Sequence, residues 1–419
     1  MRPRHLLASA AVLLAANVAV AIAQRPDAFG ESREHPAIGY NTGATSTVVD
    51  EMNAKLADGR VRFAFDPVSG YLRSAVEAFG LAVESQVLVY TGTSLQAPKI
   101  NPTNPRAFYF NDVVTVGWVR GGTVLEVSVQ DPRQGTQFYT LDQAVEGGTL
   151  RFRREMGCLS CHLSWDTLAV PGRMVLTTFP RKTDRDYANG HTVDHRVPVE
   201  ERWGGWYVTG KQVPSRHMGN LPLFMDVPAK PSSLQASKPS SLQASKPANL
   251  PSVDGLFDLS GYLTNTSDVV ALMVLDHQLH VNNLITRVAW EARVGNAARV
   301  GDGARDLVDY LLFVDEAPID EPIVGGSGFA EKFAALGPKD SQGRSPRDLK
   351  LDGRMMQYPL SYMIYTPAYD AMPAMAKEAV AARLRQVLAG EDASAKYAHL
   401  TPEVRQALLE ILKDTKPGL

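Results

Sequence analysis

The hydrophobic pattern of this chain changes period twice along its length, from helical to alternating and back, and those changes limit what it can fold into. From about Ser85, apolar and polar residues alternate. The runs "SQVLVYTG", "RAFYF", "DVVTVGWVRGGTVLEVSVQ" and "TQFYTLDQ" are rich in Val, Tyr and Phe. A period of two places successive side chains on opposite faces of a strand. The pair Gly121-Gly122 between two such runs marks a hairpin. After residue 250 the apolar spacing becomes helical. The stretch 266–294 is long and periodic, with Thr266 or Ser267 as its N-cap, and further helices are expected over 304–317, 373–390 and 401–415. Two short helices precede the strands, over 45–59 (capped by Thr45 or Ser46) and 69–80. The fold class is therefore α+β, with a β-rich N-terminal half and a largely helical C-terminal half.

Five segments follow from this pattern. In residues 1–23, Arg2 and Arg4 precede an apolar run that ends in Ala21-Ile22-Ala23, which reads as a signal peptide cleaved before Gln24. A periplasmic or otherwise exported protein is expected. Residues 24–150 form the β-rich domain with its two short helices. Residues 151–229 are poor in helical pattern, with "RWGGWYVTG" (202–210) as one strand. Residues 230–250 hold the octapeptide "KPSSLQAS" twice in tandem, too polar to bury anything, and read as a linker or surface loop. Residues 251–419 form the helical region. Within it, "MMQYPLSYMIYTPAYDAMP" is broken by prolines, and Met355, Met356 and Met363 read as core filling rather than as ligands. No segment after the leader has the uninterrupted apolar length of a membrane span, so no insertion of the mature chain is expected.

A net charge of −2 supplies no basic field, which argues against a nucleic-acid partner. The 419 residues include only two cysteines, so the chain is no disulfide scaffold. Both lie in Cys158-Leu159-Ser160-Cys161-His162. A redox C-x-x-C calls for a βαβ context that the pattern lacks. A structural zinc site needs four ligands, and no second pair exists. A disulfide between the two would leave His162 without a role. The pentapeptide matches C-x-x-C-H, the attachment sequence of c-type haem.

On these five residues and the export signal, the chain resembles a c-type cytochrome. The resemblance implies one covalent haem c, thioether bonds from Cys158 and Cys161, and His162 as proximal iron ligand. The chain departs from the small class I cytochromes, in which an amphipathic helix leads into the motif. Here "TLRFRRE" reads as a strand. It also lacks the second motif of the di-haem peroxidases, so a second covalent haem is not expected.

Across the iron, four residues are candidates. His217 and Met218 sit together in "PSRHMGNLP". His277 and His280 share one helix face with Met273 and Leu284, and Arg287 lies on that side as a contact for a haem propionate. His191 and His195, near Asp194 and Arg196, read as a polar turn. Tyr362, Tyr365 and Trp206 line an electron path or simply pack. The expected function is electron transfer to or from a redox partner protein, as a component of a redox chain. The alternative is a haem c enzyme, peroxidase-like or a small-molecule oxidoreductase with an open distal site, or a haem-based sensor. The chain is far longer than a carrier of one haem needs, and no P-loop, nucleotide fingerprint, G-x-S-x-G or H-E-x-x-H names a second chemistry.

Overall fold

Antiparallel pairing of short strands builds the first half of the molecule. The structure is a computed structural model that describes residues 29, 31–143, 150–178, 190–221 and 249–419. The leader (1–23) and the tandem repeat (230–245) lie outside the described residues. Strands β1 (Val87–Val89), β2 (Arg106–Phe110), β3 (Val114–Trp118), β4 (Val124–Asp131), β5 (Gly135–Asp142) and β6 (Arg153–Arg154) follow one another in the chain. The hairpin expected at Gly121 joins β3 to β4, with Gly121 at φ 68°. Strands β7 (Val175–Thr177) and β8 (His191–Val193) pair apart from the main sheet. Strand β9 (Trp206–Tyr207), inside the segment read as one strand, returns to pair with β1, Val89 opposite Trp206. The main sheet runs β6-β5-β4-β3-β2-β1-β9.

Alternation gives this sheet two unlike faces. Leu125, Val127, Val116, Trp118, Tyr109 and Leu141 turn to one side, where α1 (Val48–Ala57) and α2 (Leu72–Ala78) close over them in a buried cluster. Thr115, Glu126, Ser128, Phe138 and Phe108 turn to the other, which is more polar and faces the Cys158–His162 segment and the helical half. Helix α1 is capped by Thr47, one residue beyond the expected Ser46, because Thr47 and Asp50 exchange bonds in a capping box.

Three further elements complete the first two-thirds: α3 (Leu159–His162), α4 (Val269–Arg293) and α5 (Ala297–Leu311). Helix α4 is the axis of the molecule. Nearly all of its 25 residues are buried, His280, Ala292 and Arg293 excepted. Its cap is Asp268, whose carboxylate accepts from Val270 N at 2.8 Å and Ala271 N at 3.3 Å. The expected cap Ser267 is engaged elsewhere: its hydroxyl donates to Tyr207 O and accepts from Leu88 N, tying the helix entry to β9 and β1. Helix α5 begins seven residues before the expected Ala304. Asn296 caps it, and Gly303 lies where an added Cβ would sit 3.4 Å from Val288 of α4. The small residue therefore brings the two helices close. Phe313 and Asp315, at φ 56° and 60°, end the helical run earlier than the pattern suggested.

Then come α6 (Phe329–Ala335), a two-stranded ribbon of β10 (Leu349–Asp352) and β11 (Arg354–Met356), α7 (Pro367–Asp370), α8 (Ala374–Leu388) and α9 (Pro402–Thr415). The last two match expectation within a residue or two. The largest core cluster wraps α4 with side chains from the sheet, the loop-rich segment and the C-terminal helices, and Met355, Met356 and Met363 fill it. Among the described residues, no helix is long and apolar enough to cross a membrane.

Candidate functional site

The cysteine–histidine motif folds as a single turn, α3, entered from a 3-10 turn at Met156–Cys158. Leu159 is buried on a small cluster with Phe29, Tyr40, Phe138, Val170 and Trp290, and Cys158 packs against its edge. Trp290 belongs to α4, so the long helix supports the turn from behind. Neither thiol is bridged: Cys158 is half-buried and Cys161 exposed. Burial, then the carboxylates of Glu126 and Glu155, pushes the Cys158 thiol up to about 12. The thiolate is the nucleophile of disulfide exchange, and the raised pKa makes it scarce at Cys158.

His162 is held by one residue at two points. Gly172 N donates to His162 O at 2.9 Å, and His162 Nδ1 lies 3.0 Å from Gly172 O. A carbonyl only accepts, so Nδ1 carries the proton and Nε2 presents a lone pair. No protein group among the described residues bonds Nε2. The Phe138 ring lies 4.9 Å from the imidazole. Desolvation, then Arg106 and Arg173 beside it, holds the His162 pKa down to about 4. The ring is thus neutral at ordinary pH, in the tautomer that ligates a metal through Nε2 while a backbone carbonyl orients it. Exposed Met156 (36 %) and Trp165 (70 %) flank the turn in sequence.

The loop carrying Gly172 is clamped in turn by Asn283 of α4. Its side chain accepts from Arg173 N at 3.1 Å and donates to Arg173 O at 2.8 Å. A Cβ at Gly172 would come 2.2 Å from Asn283 Oδ1, so only glycine fits there. Two free thiols and an oriented, unbonded imidazole nitrogen in one turn are the donor set that covalent haem attachment needs, and the residues fit that group.

The other sequence candidates gather elsewhere. His277 Nδ1 is 2.9 Å from His195 Nδ1, and His277 Nε2 is 2.7 Å from Ser361 Oγ. The rings of Tyr310 and Phe313 stack on this pair. His280 Nε2 meets Arg196 at 3.3 Å, and Arg196 in turn bonds Asp194 at 2.6 Å. Residues some 80 positions apart, read separately as a polar turn and as a helix face, therefore form one cluster, buried at His195 and His277 and reaching the surface through His280 and Arg196. Burial depresses the pKa of His277 to about 3 and of His280 to about 4, and drives that of His195 well below the usual histidine value. Asp276, next to His277 in the chain, accepts from Trp203 Nε1 at 2.9 Å, and burial raises its pKa to about 7.

His217 is buried edge-on to Trp203 at 6.0 Å, and burial lowers its pKa to about 4. Met218 is buried beside it, its backbone N donating to Arg202 O. Arg287 is buried with Nη1 2.9 Å from Asp306, so its charge is matched by a carboxylate of the protein. His191 opens β8. At His162 the ring contact is with Phe138 and the side-chain hydrogen bond is with Gly172. Among the described residues, no group of three or more His, Cys, Asp or Glu side chains is arranged to hold a metal ion.

Sequence reasoning missed Gly172, Arg173 and Asn283. Nothing in "VPGRM" or in the middle of α4 signals that they meet. Comparison of the chain with family models, with curated proteins and with solved structures returns no match.

Proposed function

We propose that this protein is an exported monohaem c-type cytochrome that passes electrons to or from a redox partner, with haem c bonded to Cys158 and Cys161 and ligated by His162. The observation that carries the reading is the His162–Gly172 contact. It fixes the imidazole as the Nδ1–H tautomer and leaves Nε2 unbonded beside two unbridged thiols. When bound, the haem supplies a one-electron Fe(III)/Fe(II) couple. The chain's part is to anchor it at Cys158 and Cys161, to aim Nε2 through the Gly172 carbonyl, and to exclude water with Phe138 and the Trp290 cluster. The motif turn lies at the surface, with Ser160 and Cys161 exposed, which suits exchange with a partner.

The test is an optical spectrum of the protein expressed with a c-type maturation system. A low-spin spectrum in both oxidation states, reversible on reduction and indifferent to carbon monoxide, is expected. A high-spin ferric form that binds carbon monoxide on reduction would replace the carrier by a haem enzyme or sensor.

A further inference from the structure

Arg173 is 4 % exposed, and no carboxylate of the described protein pairs with it. Nη1 donates to Thr115 Oγ1 at 2.8 Å and reaches Ser128 Oγ at 3.5 Å, both neutral hydroxyls. Nε and Nη2 are buried without an acceptor among the described residues. By contrast, Arg106 is matched by Glu126 at 2.7 Å and Arg287 by Asp306 at 2.9 Å. Arg202 is also buried without a carboxylate partner among the described residues, but its Nε and Nη2 donate to Val197 O and His195 O. Arg173 lacks even such acceptors on that edge. Burying a charge without a counter-charge costs several kcal/mol, and proteins ordinarily avoid it.

The location and shape of the unsatisfied edge are both informative. Nε–H and the syn N–H of Nη2 point the same way, which is the fork that grips a carboxylate with two parallel bonds. Thr115 and Ser128, which hold the opposite edge, are cross-strand neighbours, and Ser128 is directly opposite Phe138. Phe138 is the ring against His162. Arg173 therefore lies on the sheet face that adjoins the motif, about one or two strand spacings, roughly 5–10 Å, from the imidazole. Its backbone follows directly on Gly172, so one clamped loop places both the carbonyl that orients His162 and this guanidinium. The charged groups nearby are Arg106 and Glu126, with the neutral His162 beside them, and Glu126 is already committed to Arg106.

We propose that Arg173 binds a carboxylate of the group held by Cys158, Cys161 and His162, namely a haem propionate, through its Nε and Nη2 edge. The inference rests on the cytochrome reading. It replaces Arg287, whose charge is matched within the protein, as the propionate contact. The ion pair would neutralise the propionate in a buried place and supply the counter-charge that Arg173 lacks among the described residues.

The test is the reduction potential of haem-loaded Arg173→Gln and Arg173→Lys. Removing a cation beside the haem favours the ferric state, because the positive charge destabilises the more positive oxidised centre. Arg173→Gln is expected to shift the reduction equilibrium at least tenfold toward ferric, about 59 mV for one electron. Arg173→Lys is expected to restore most of the shift. A haem-loaded Arg173→Gln within twofold of the parent would overturn the proposal while leaving the attachment reading intact. Should the glutamine variant fail to accumulate, the propionate bending band in the resonance Raman spectrum of Arg173→Lys decides. A shifted band supports the contact, and an unmoved one refutes it. Parent protein purified without covalent haem would remove the cytochrome reading and, with it, this one.

Discussion

Two regions along helix α4 hold the ionisable chemistry of this chain, and they treat it in opposite ways. Around His277, about 9 Å along the axis from Asn283, the imidazole has a protein partner on each ring nitrogen: His195 and Ser361. Around Asn283 and Trp290, the same helix supports a turn whose two thiols are free and whose imidazole keeps one nitrogen unbonded. A buried guanidinium nearby has a fork with no acceptor. A buried polar group that meets only protein holds the fold together. His195 Nε2, Asp276 Oδ1 and Tyr310 Oη beside His277 are also buried without a partner among the described residues. The difference therefore lies in the imidazoles: protein bonds both nitrogens of His277 and, among the described residues, one of His162.

Substitutions at the two histidines put this contrast at risk. His162→Ala is expected to reduce haem content at least tenfold. His277→Ala is expected to leave the visible spectrum unchanged and to lower stability by about 2–4 kcal/mol, since it opens a cavity and strands the partner atoms of His195 and Ser361. Chemical unfolding of each variant, read beside its spectrum, checks both. A His277→Ala spectrum with altered spin state would make the histidine cluster part of the haem site and erase the distinction.

Acid gives a smaller effect that sharpens it. His195, His217, His277 and His280 are held neutral by burial, with folded pKa values of about 4 for His217 and His280, about 3 for His277 and well below the usual value for His195. Above about pH 6.5 they are neutral folded or unfolded and contribute nothing to the pH dependence. Below it the unfolded chain takes up protons that the fold refuses, so stability falls as pH drops from about 6.5 toward 4. Asp276, raised to about 7, and Glu316, raised to about 6, act in the opposite sense, because the folded state holds their protons. The four imidazoles outweigh the two carboxyls. Denaturant melts are expected to show a net loss of roughly 1–3 kcal/mol between about pH 7.5 and 5.5. Stability that rises over that interval would mean the histidines are not buried neutral.

Much of the fold is legible in the sequence because it is local. The alternation through β2 to β5, the hairpin at Gly121 and the periodicity of α4, α8 and α9 each depend on residues a few positions apart. The caps were displaced by a residue or two where a rival bond competed, as when Ser267 joined β1 and β9 and left Asp268 to cap α4. The motif itself is local, and so was readable. What surrounds it is not. Gly172 reaches His162 across a loop, Asn283 of α4 bonds the Arg173 backbone, and the Arg173 side chain reaches Thr115 and Ser128 on the sheet. Those contacts depend on tertiary packing that no spacing encodes. The same limit explains why His277 read as a candidate ligand: its partner His195 lies in a segment that, by sequence, was only a polar turn.

A covalent haem at Cys158, Cys161 and His162, as proposed, would add its mass to the chain, so the intact mass of the denatured protein reports it. Protein matured in the periplasm of a host with c-type haem ligation is predicted to carry the mass of one haem per chain. The Cys158→Ala, Cys161→Ala double variant is predicted to fall to the polypeptide mass alone. A parent chain that runs at the bare polypeptide mass under the same maturation would contradict the account.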